Sequence, residues 1–169
     1  MTPEQINLVQ QSFESVVPLK ETAADLFYNR LFEIDPQIRP MFSGDMEAQG
    51  DKLMSSLALV VTGLDQPENI HSAVQDLGRR HTGYGVREDH FTSFAHALIW
   101  TIEQALEDAY TDDIRDAWIA AYELLSGIMI DAMNEENESH SAPAYDAHTY
   151  APAAPAPEEL VYEASQPAI

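Results

Sequence analysis

Four residues at helical spacing, Ile70, Val74, Leu77 and His81, run straight into Thr82-Gly83-Tyr84-Gly85. Apolar side chains at i, i+4 and i+7 share one face of an α-helix, and such a face is buried. The imidazole at i+11 continues that stripe, so His81 is expected to point inward from the last turn of its helix. A neutral imidazole there is either a core histidine bonded to a carbonyl or the ligand of something held in the core. The stripe alone leaves both open.

The rest of the chain to about residue 136 reads as helix after helix. Thr2-Pro3-Glu4-Gln5 opens the first, with a Thr cap, Pro at the first helical position and Gln closing a capping box. Val9, Phe13, Val16 and Val17 give it one apolar face. A second helix is expected from Lys20 and must stop before Asp35-Pro36, because a residue preceding proline is pushed out of the helical region. Its inner stripe is Ala24, Phe27, Tyr28 and Leu31. Two prolines bound Pro36 to Phe42, which leaves room for a short turn. A third helix spans Met46 to Leu64, with Leu53, Leu57, Val60, Val61 and Leu64 inward. The His81 helix starts near Gln66-Pro67-Glu68. The next begins around Arg87-Glu88-Asp89 and carries Phe91, Phe94, Ala95, Leu98, Ile99 and Ile102. Thr111-Asp112-Asp113 announces the last, which runs through Ile114, Trp118, Ala121, Leu125 and Met129. No segment alternates with period two over a strand's length. The fold class is all-α, with six or more helices.

From Asn137 the composition changes. Residues 138–169 hold five of the ten prolines and no apolar period. Such a segment buries too little surface to offset the entropy of ordering. Residues 1–136 are therefore expected as one folded domain, and 137–169 as a disordered, Ala/Pro-rich acidic tail.

Charge and composition remove several functions. The formal charge is −21, and no Lys or Arg follows Arg115. Nucleic acid and anionic membrane surfaces would be repelled. With no cysteine, disulfides, thiolate catalysis, iron–sulfur clusters and cysteine-based zinc sites are excluded. The polar start has no signal-peptide pattern, and no apolar run reaches the ~20 residues of a membrane span, so a cytoplasmic protein is expected. Phosphate-cradling glycine motifs and an HExxH helix are absent. Glu68-Asn69-Ile70-His71 has the spacing of a di-iron ligand pair, but both ends lie off the apolar stripe. His90 and His96 have no metal-spaced partner, and His140 and His148 fall in the tail.

His81 remains, and its neighbours give it a context. The string Leu77-Gly78-Arg79-Arg80-His81-Thr82-Gly83-Tyr84-Gly85-Val86 resembles the proximal-histidine segment of globins, both bacterial and neuroglobin-like. Gln49 stands 32 residues earlier, where bacterial haemoglobins and flavohaemoglobins put a distal glutamine. Leu26 to Phe32 and Pro36 to Phe42 look like the second helix and following corner of that family. Within them, Tyr28 matches the distal tyrosine and Phe42 the phenylalanine that wedges the haem edge. Leu53 matches the leucine above the iron, and Phe91 a pocket aromatic; Asp116-Ala117-Trp118 to Tyr122 fits the last helix.

The resemblance implies a globin fold, a three-on-three helical sandwich, holding a b-type haem (heme b) with its iron on His81. Phe42, Leu53, Leu77, Arg80, His81, Val86 and Phe91 are the expected haem-binding residues, with Arg80 on a propionate. Tyr28 and Gln49 are the expected distal donors to a bound gas; the Tyr28 hydroxyl could equally bond a backbone carbonyl. Two such donors, each worth about 1–2 kcal/mol, imply slow ligand release. One departure stands out. Flavohaemoglobins flank the proximal histidine with a tyrosine and a glutamate that strengthen its electron donation, and here Phe91 and Met133 occupy those places. That argues against peroxidase-like chemistry and leaves reversible gas binding intact. The expected function is dioxygen storage, delivery or scavenging without catalysis. The rivals are a nitric oxide dioxygenase served by a separate reductase and a haem-based gas sensor. Expected partners are a diatomic gas (dioxygen, carbon monoxide or nitric oxide) and, for turnover, that reductase. The chain is expected as a monomer or homodimer.

Overall fold

The computed structural model describes residues 1–141; the expected tail lies outside the described residues from 142 onward. Six α-helices follow in order: α1 Pro3–Val16, α2 Lys20–Ile34, α3 Met46–Gly63, α4 Pro67–Gly83, α5 Glu88–Leu106 and α6 Asp112–Ser141. Short 3-10 segments at Val17–Leu19, Pro36–Met41 and Glu107–Ala109 turn the chain between them. There is no strand among the described residues.

Local chemistry sets the ends. The Thr2 hydroxyl accepts from the Gln5 N–H at 3.2 Å, and the Gln5 side chain accepts from the Thr2 N–H at 2.9 Å. Asp35 ends α2, and its carboxylate takes the Gln37 N–H that Pro36 leaves without a helical partner. Asp45 caps α3 through the Glu47 N–H, and Thr111 caps α6 through the Ile114 N–H. The expected boundary at Asn137 is not where α6 stops. Past Gly127 the chain has no glycine or proline up to Ser141, so nothing local breaks the helix, and it runs on five residues.

The core joins Val9, Phe13 and Val16 of α1 to Phe27 and Leu31 of α2, Leu98 and Ile102 of α5 and Trp118 of α6. Burying each large side chain is worth about 2 kcal/mol. The Trp118 indole N–H is satisfied in this apolar setting by Ser12 Oγ at 2.9 Å, and Ser12 in turn donates to the Leu8 carbonyl.

Two close approaches decide how the helices cross. A β-carbon at Gly50 would stand 2.9 Å from Ala24 Cβ, so α3 lies hard against α2 there. A β-carbon at Gly78 would stand 2.5 Å from the Met129 carbonyl oxygen, so α4 and α6 meet almost backbone to backbone. Any larger residue at either position would force the helices apart.

Burial of the expected inward stripes varies along the helices. On α3, Val60, Val61 and Leu64 are buried, while Leu53 and Leu57 nearer its start are half-buried. On α4, Ile70 and Val74 are buried, while Leu77 and His81 nearer its end are half-buried. On α5, Leu98 and Ile102 are buried, while Phe91, Phe94 and Ala95 are not. On α6, half-buried Leu125 and Met129 lie between buried Trp118 and Ala121 and buried Ala132 and Met133. Close helix contacts bury Gly50, Met54 and Gly78. On α3 and α4 the stripe residues Leu53, Leu57, Leu77 and His81 are less buried than Val60, Val61, Ile70 and Val74 nearer the junction of the two helices. The stripes that periodicity turns inward are left partly bare there by the protein's own side chains.

Candidate functional site

His81 sits in the last turn of α4. Its Nδ1 donates to the Leu77 carbonyl at 2.7 Å, one turn back. With that proton engaged, the Nε2 lone pair is free, and no hydrogen bond is made to it among the described residues. Burial pushes the imidazole below its ordinary pKa, the Leu77 carbonyl pulls it partly back, and the neighbouring Arg80 lowers it again. The neutral ring is therefore favoured, with one nitrogen oriented and the other open. That is the state in which imidazole binds a metal.

The loop after α4 wraps back on the same residue. The N–H groups of Tyr84 and Val86 both donate to the His81 carbonyl, at 3.1 and 3.2 Å. Gly85, at φ +75°, makes that return without the steric cost other residues would bear. At the other end of the loop the Arg87 N–H donates to Nδ1 of buried His90, which serves as a cap for α5. Sequence reasoning found no role for His90, because a histidine cap carries no periodic signal. Glu68 and His71, the apparent metal pair, are both exposed.

A second group of predicted residues gathers on α2, α3 and the corner between them. The buried Tyr28 hydroxyl donates to the Gln49 backbone carbonyl at 3.3 Å. The Tyr28 ring meets Phe42 edge-on, with centroids 5.3 Å apart, and Phe42 meets Phe32 at 5.5 Å. Arg39 secures this corner: it donates to the Phe42 carbonyl at 2.8 Å, and its guanidinium lies 5.0 Å from the centre of the Phe32 ring. Burial raises the Tyr28 hydroxyl to about 12, so it stays a donor throughout the neutral range. Leu53 is half-buried one turn after Gln49 and borders a small apolar cavity with Phe27, Leu57 and Leu98.

Leu77 and Val86 are half-buried beside His81, Phe91 is half-buried at the start of α5, and Arg80 is exposed and has no ion-pair partner among the described residues. Phe91 takes part through its backbone: its carbonyl accepts from the Tyr122 hydroxyl at 2.7 Å, and the Tyr122 ring stacks on Phe94 at 5.9 Å. Sequence reasoning placed Tyr122 in the last helix without this role; its position one turn after Trp118 was the available signal. No hydrogen bond, ring contact or ion pair joins the His81 group to the Tyr28–Gln49–Phe42 group among the described residues.

A lone imidazole is a poor metal site by itself, and no cluster of three or more His, Cys, Asp or Glu that could hold a metal occurs among the described residues. A haem fits this arrangement. Its macrocycle supplies the other iron ligands, its faces would cover the half-bare apolar residues, and it needs one open imidazole nitrogen.

The comparisons with known proteins point the same way. The family model described as Globin matches residues 25–129. The flavohemoprotein of Vibrio cholerae is 28% identical over 138 residues, covering 78% of this chain and 34% of that protein. The chain thus spans about a third of the length of the curated flavohemoproteins it matches. The neuroglobin of Danio rerio is 27% identical over 150 residues, covering 79% of this chain and 94% of that protein. Among solved structures, a bacterial globin from Campylobacter jejuni superposes with a TM-score of 0.71 at 22% identity, covering 81% of this chain and 99% of the other. With the helix order, the open imidazole of His81 and the family match over residues 25–129, the chain belongs to the globin family.

Proposed function

We propose that this protein binds dioxygen reversibly on a haem whose iron is ligated by Nε2 of His81. The observation that carries the reading is the His81 geometry: Nδ1 committed to the Leu77 carbonyl, Nε2 free, and burial favouring the neutral ring. The absence of cysteine favours haem held without thioether links, hence the b type. The group supplies an iron with one coordination position for a diatomic gas. Leu77, Val86 and Phe91 would pack its proximal side, Phe42 and Leu53 its distal side, and exposed Arg80 would pair with a propionate.

Tyr28 and Gln49 would govern how long the gas stays. In the structure the Tyr28 hydroxyl donates across 3.3 Å, longer than the usual O–H···O range and therefore weakly. A weak bond of this kind is readily exchanged for one to a partly negative ligand atom. The Gln49 amide adds a second donor from the half-buried start of α3. The apolar side chains around the site would keep water and protons away from a bound haem and so favour its ferrous state.

A second reading, nitric oxide dioxygenase with a separate reductase, draws support from the flavohemoprotein relatives, of which this chain spans about a third. Turnover would depend on a donor of electrons, so adding a reductase and NADH under nitric oxide separates it from gas carriage.

The first test is an absorption spectrum of the purified protein as isolated, after dithionite and after carbon monoxide, beside His81→Ala. A strong Soret band that shifts on carbon monoxide and weakens in the variant is expected. No Soret band, even after haemin is added, would sink the reading.

A further inference from the structure

We propose that His90 is an acid-sensitive latch on the loop joining α4 to α5, closed while its ring is neutral and open when the ring takes a second proton. The loop is fastened at both ends. Toward α4, the Tyr84 and Val86 N–H groups donate to the His81 carbonyl at 3.1 and 3.2 Å. Toward α5, the Arg87 N–H donates to His90 Nδ1 at 3.2 Å, and no backbone carbonyl accepts it among the described residues.

The two fastenings respond differently to acid. A carbonyl accepts at any pH. An imidazole nitrogen accepts only while it carries no proton, so the neutral ring must hold its proton on Nε2. A proton added to Nδ1 sets two N–H groups against each other across the same 3.2 Å, and attraction becomes repulsion. His90 stands at the third position of α5, where a glutamine or glutamate usually reaches back to the amide of the capping residue. Glutamine would make the same bond and never change charge. Histidine makes it and changes charge between about pH 5 and 8.

The surroundings give the charged ring somewhere to go. His90 is 7% exposed, so it cannot simply turn out into water. An Asp89 carboxylate oxygen lies 3.9 Å from its Nε2. That carboxylate already accepts from the Arg87 guanidinium at 3.1 and 2.9 Å. An imidazolium competes with Arg87 for it, so one proton loosens both the backbone and the side chain of the same loop residue.

Few other charged groups face this end of α5. From α2, Asp35 accepts from Ser93, one turn beyond His90, at 3.4 Å and acts on the Arg87 charge. From α6, the Tyr122 hydroxyl is engaged by the Phe91 carbonyl, and burial raises its pKa, so it stays neutral as His90 titrates. Helix α1 meets α5 further along, through Phe13 and Val16 near Leu98 and Ile102. The Glu107–Ala109 turn lies at the opposite end of α5. With the latch open, the loop is held only at the His81 carbonyl, and the segment around His81 becomes looser as pH falls.

The test follows the full chain by nitrogen and amide resonances in its carbon monoxide form, from about pH 8 to about pH 5. His90 Nδ1 should gain its proton in step with a shift of the Arg87 amide signal. Exchange of that amide, corrected for its intrinsic rate, should rise about fivefold, as for one lost hydrogen bond. His90→Gln, which keeps an acceptor without titrating, should exchange slowly throughout, and His90→Ala rapidly throughout. A pH response of Arg87 undiminished in His90→Gln overturns the latch. So does a ring that gains no proton by pH 5, or one that gains it while Arg87 is unmoved. The Soret band of the same samples reports haem retention separately, so protonation of His81 is not mistaken for that of His90.

Discussion

The Tyr28 hydroxyl donates to the backbone carbonyl of Gln49 at 3.3 Å, joining α2 to the start of α3. The contact depends on the next residue. Gly50 lets α3 approach until an added β-carbon would stand 2.9 Å from Ala24 Cβ, one turn before Tyr28 on α2. Gly50→Val is expected to push the helices apart and cost about 1–3 kcal/mol. Thermal unfolding of the carbon monoxide form would show it, together with faster ligand release as Tyr28 and Gln49 separate.

Tyr28→Phe isolates the hydroxyl. The lost bond is long, so stability should fall by no more than about 1 kcal/mol. If the hydroxyl donates to bound gas, loss of about 1.4 kcal/mol there raises the dioxygen release rate about tenfold. Stopped-flow displacement by carbon monoxide measures it. Because burial holds the hydroxyl protonated up to about 12, the difference between the two proteins should not vary across the neutral range. An unchanged release rate would return Tyr28 to a purely structural role.

The haem-free protein should lose stability as pH falls. Burial lowers the His81 pKa below its ordinary value of 6.5, so the unfolded chain binds that proton more readily than the folded one. The stability His81 contributes is therefore complete above 6.5 and declines as pH drops toward its lower folded value. Urea unfolding at a series of pH values should show this decline, and His81→Phe should reduce it. In the haem-bound protein the same protonation competes with iron, so haem loss should speed up in the same direction.

Gly78→Ala places a methyl group 2.5 Å from the Met129 carbonyl oxygen. Both neighbours are helix backbone and cannot turn aside, so α4 must shift, at a cost of about 1–3 kcal/mol. Because His81 lies less than one turn further along α4, haem transfer to an acceptor apoprotein should also quicken. Stability lost without any change in haem transfer would mean that the crossing supports the fold and not the site.

Glu107 closes α5 at φ +49° and ψ −122°, the only non-glycine with positive φ among the described residues. Such a conformation costs a side-chain-bearing residue of order 1 kcal/mol. Glu107→Gly should relieve it and raise the melting temperature by about 2–4 °C. A lower melting temperature would show that the glutamate makes a compensating contact.

The sequence by itself determined the helices and most of their ends, because those depend on interactions a few residues apart. The Thr2–Gln5 box, the stop before Pro36 and the caps at Asp45 and Thr111 are local hydrogen-bonding chemistry. It also determined that His81 extends an apolar stripe, since helical period alone puts it on the face of Ile70, Val74 and Leu77. Its change of composition after Asn137 does not mark a helix end, because a helix continues through polar residues until something breaks it, and α6 runs to Ser141. Tertiary structure alone decided where the Tyr28 proton goes, that His90 caps α5, and that Tyr122 holds the Phe91 carbonyl. It also decided which parts of each apolar stripe stay half-bare. These depend on how closely helices distant in sequence approach, and Gly50 against Ala24 and Gly78 against Met129 set that approach by the absence of a side chain, which periodicity does not register.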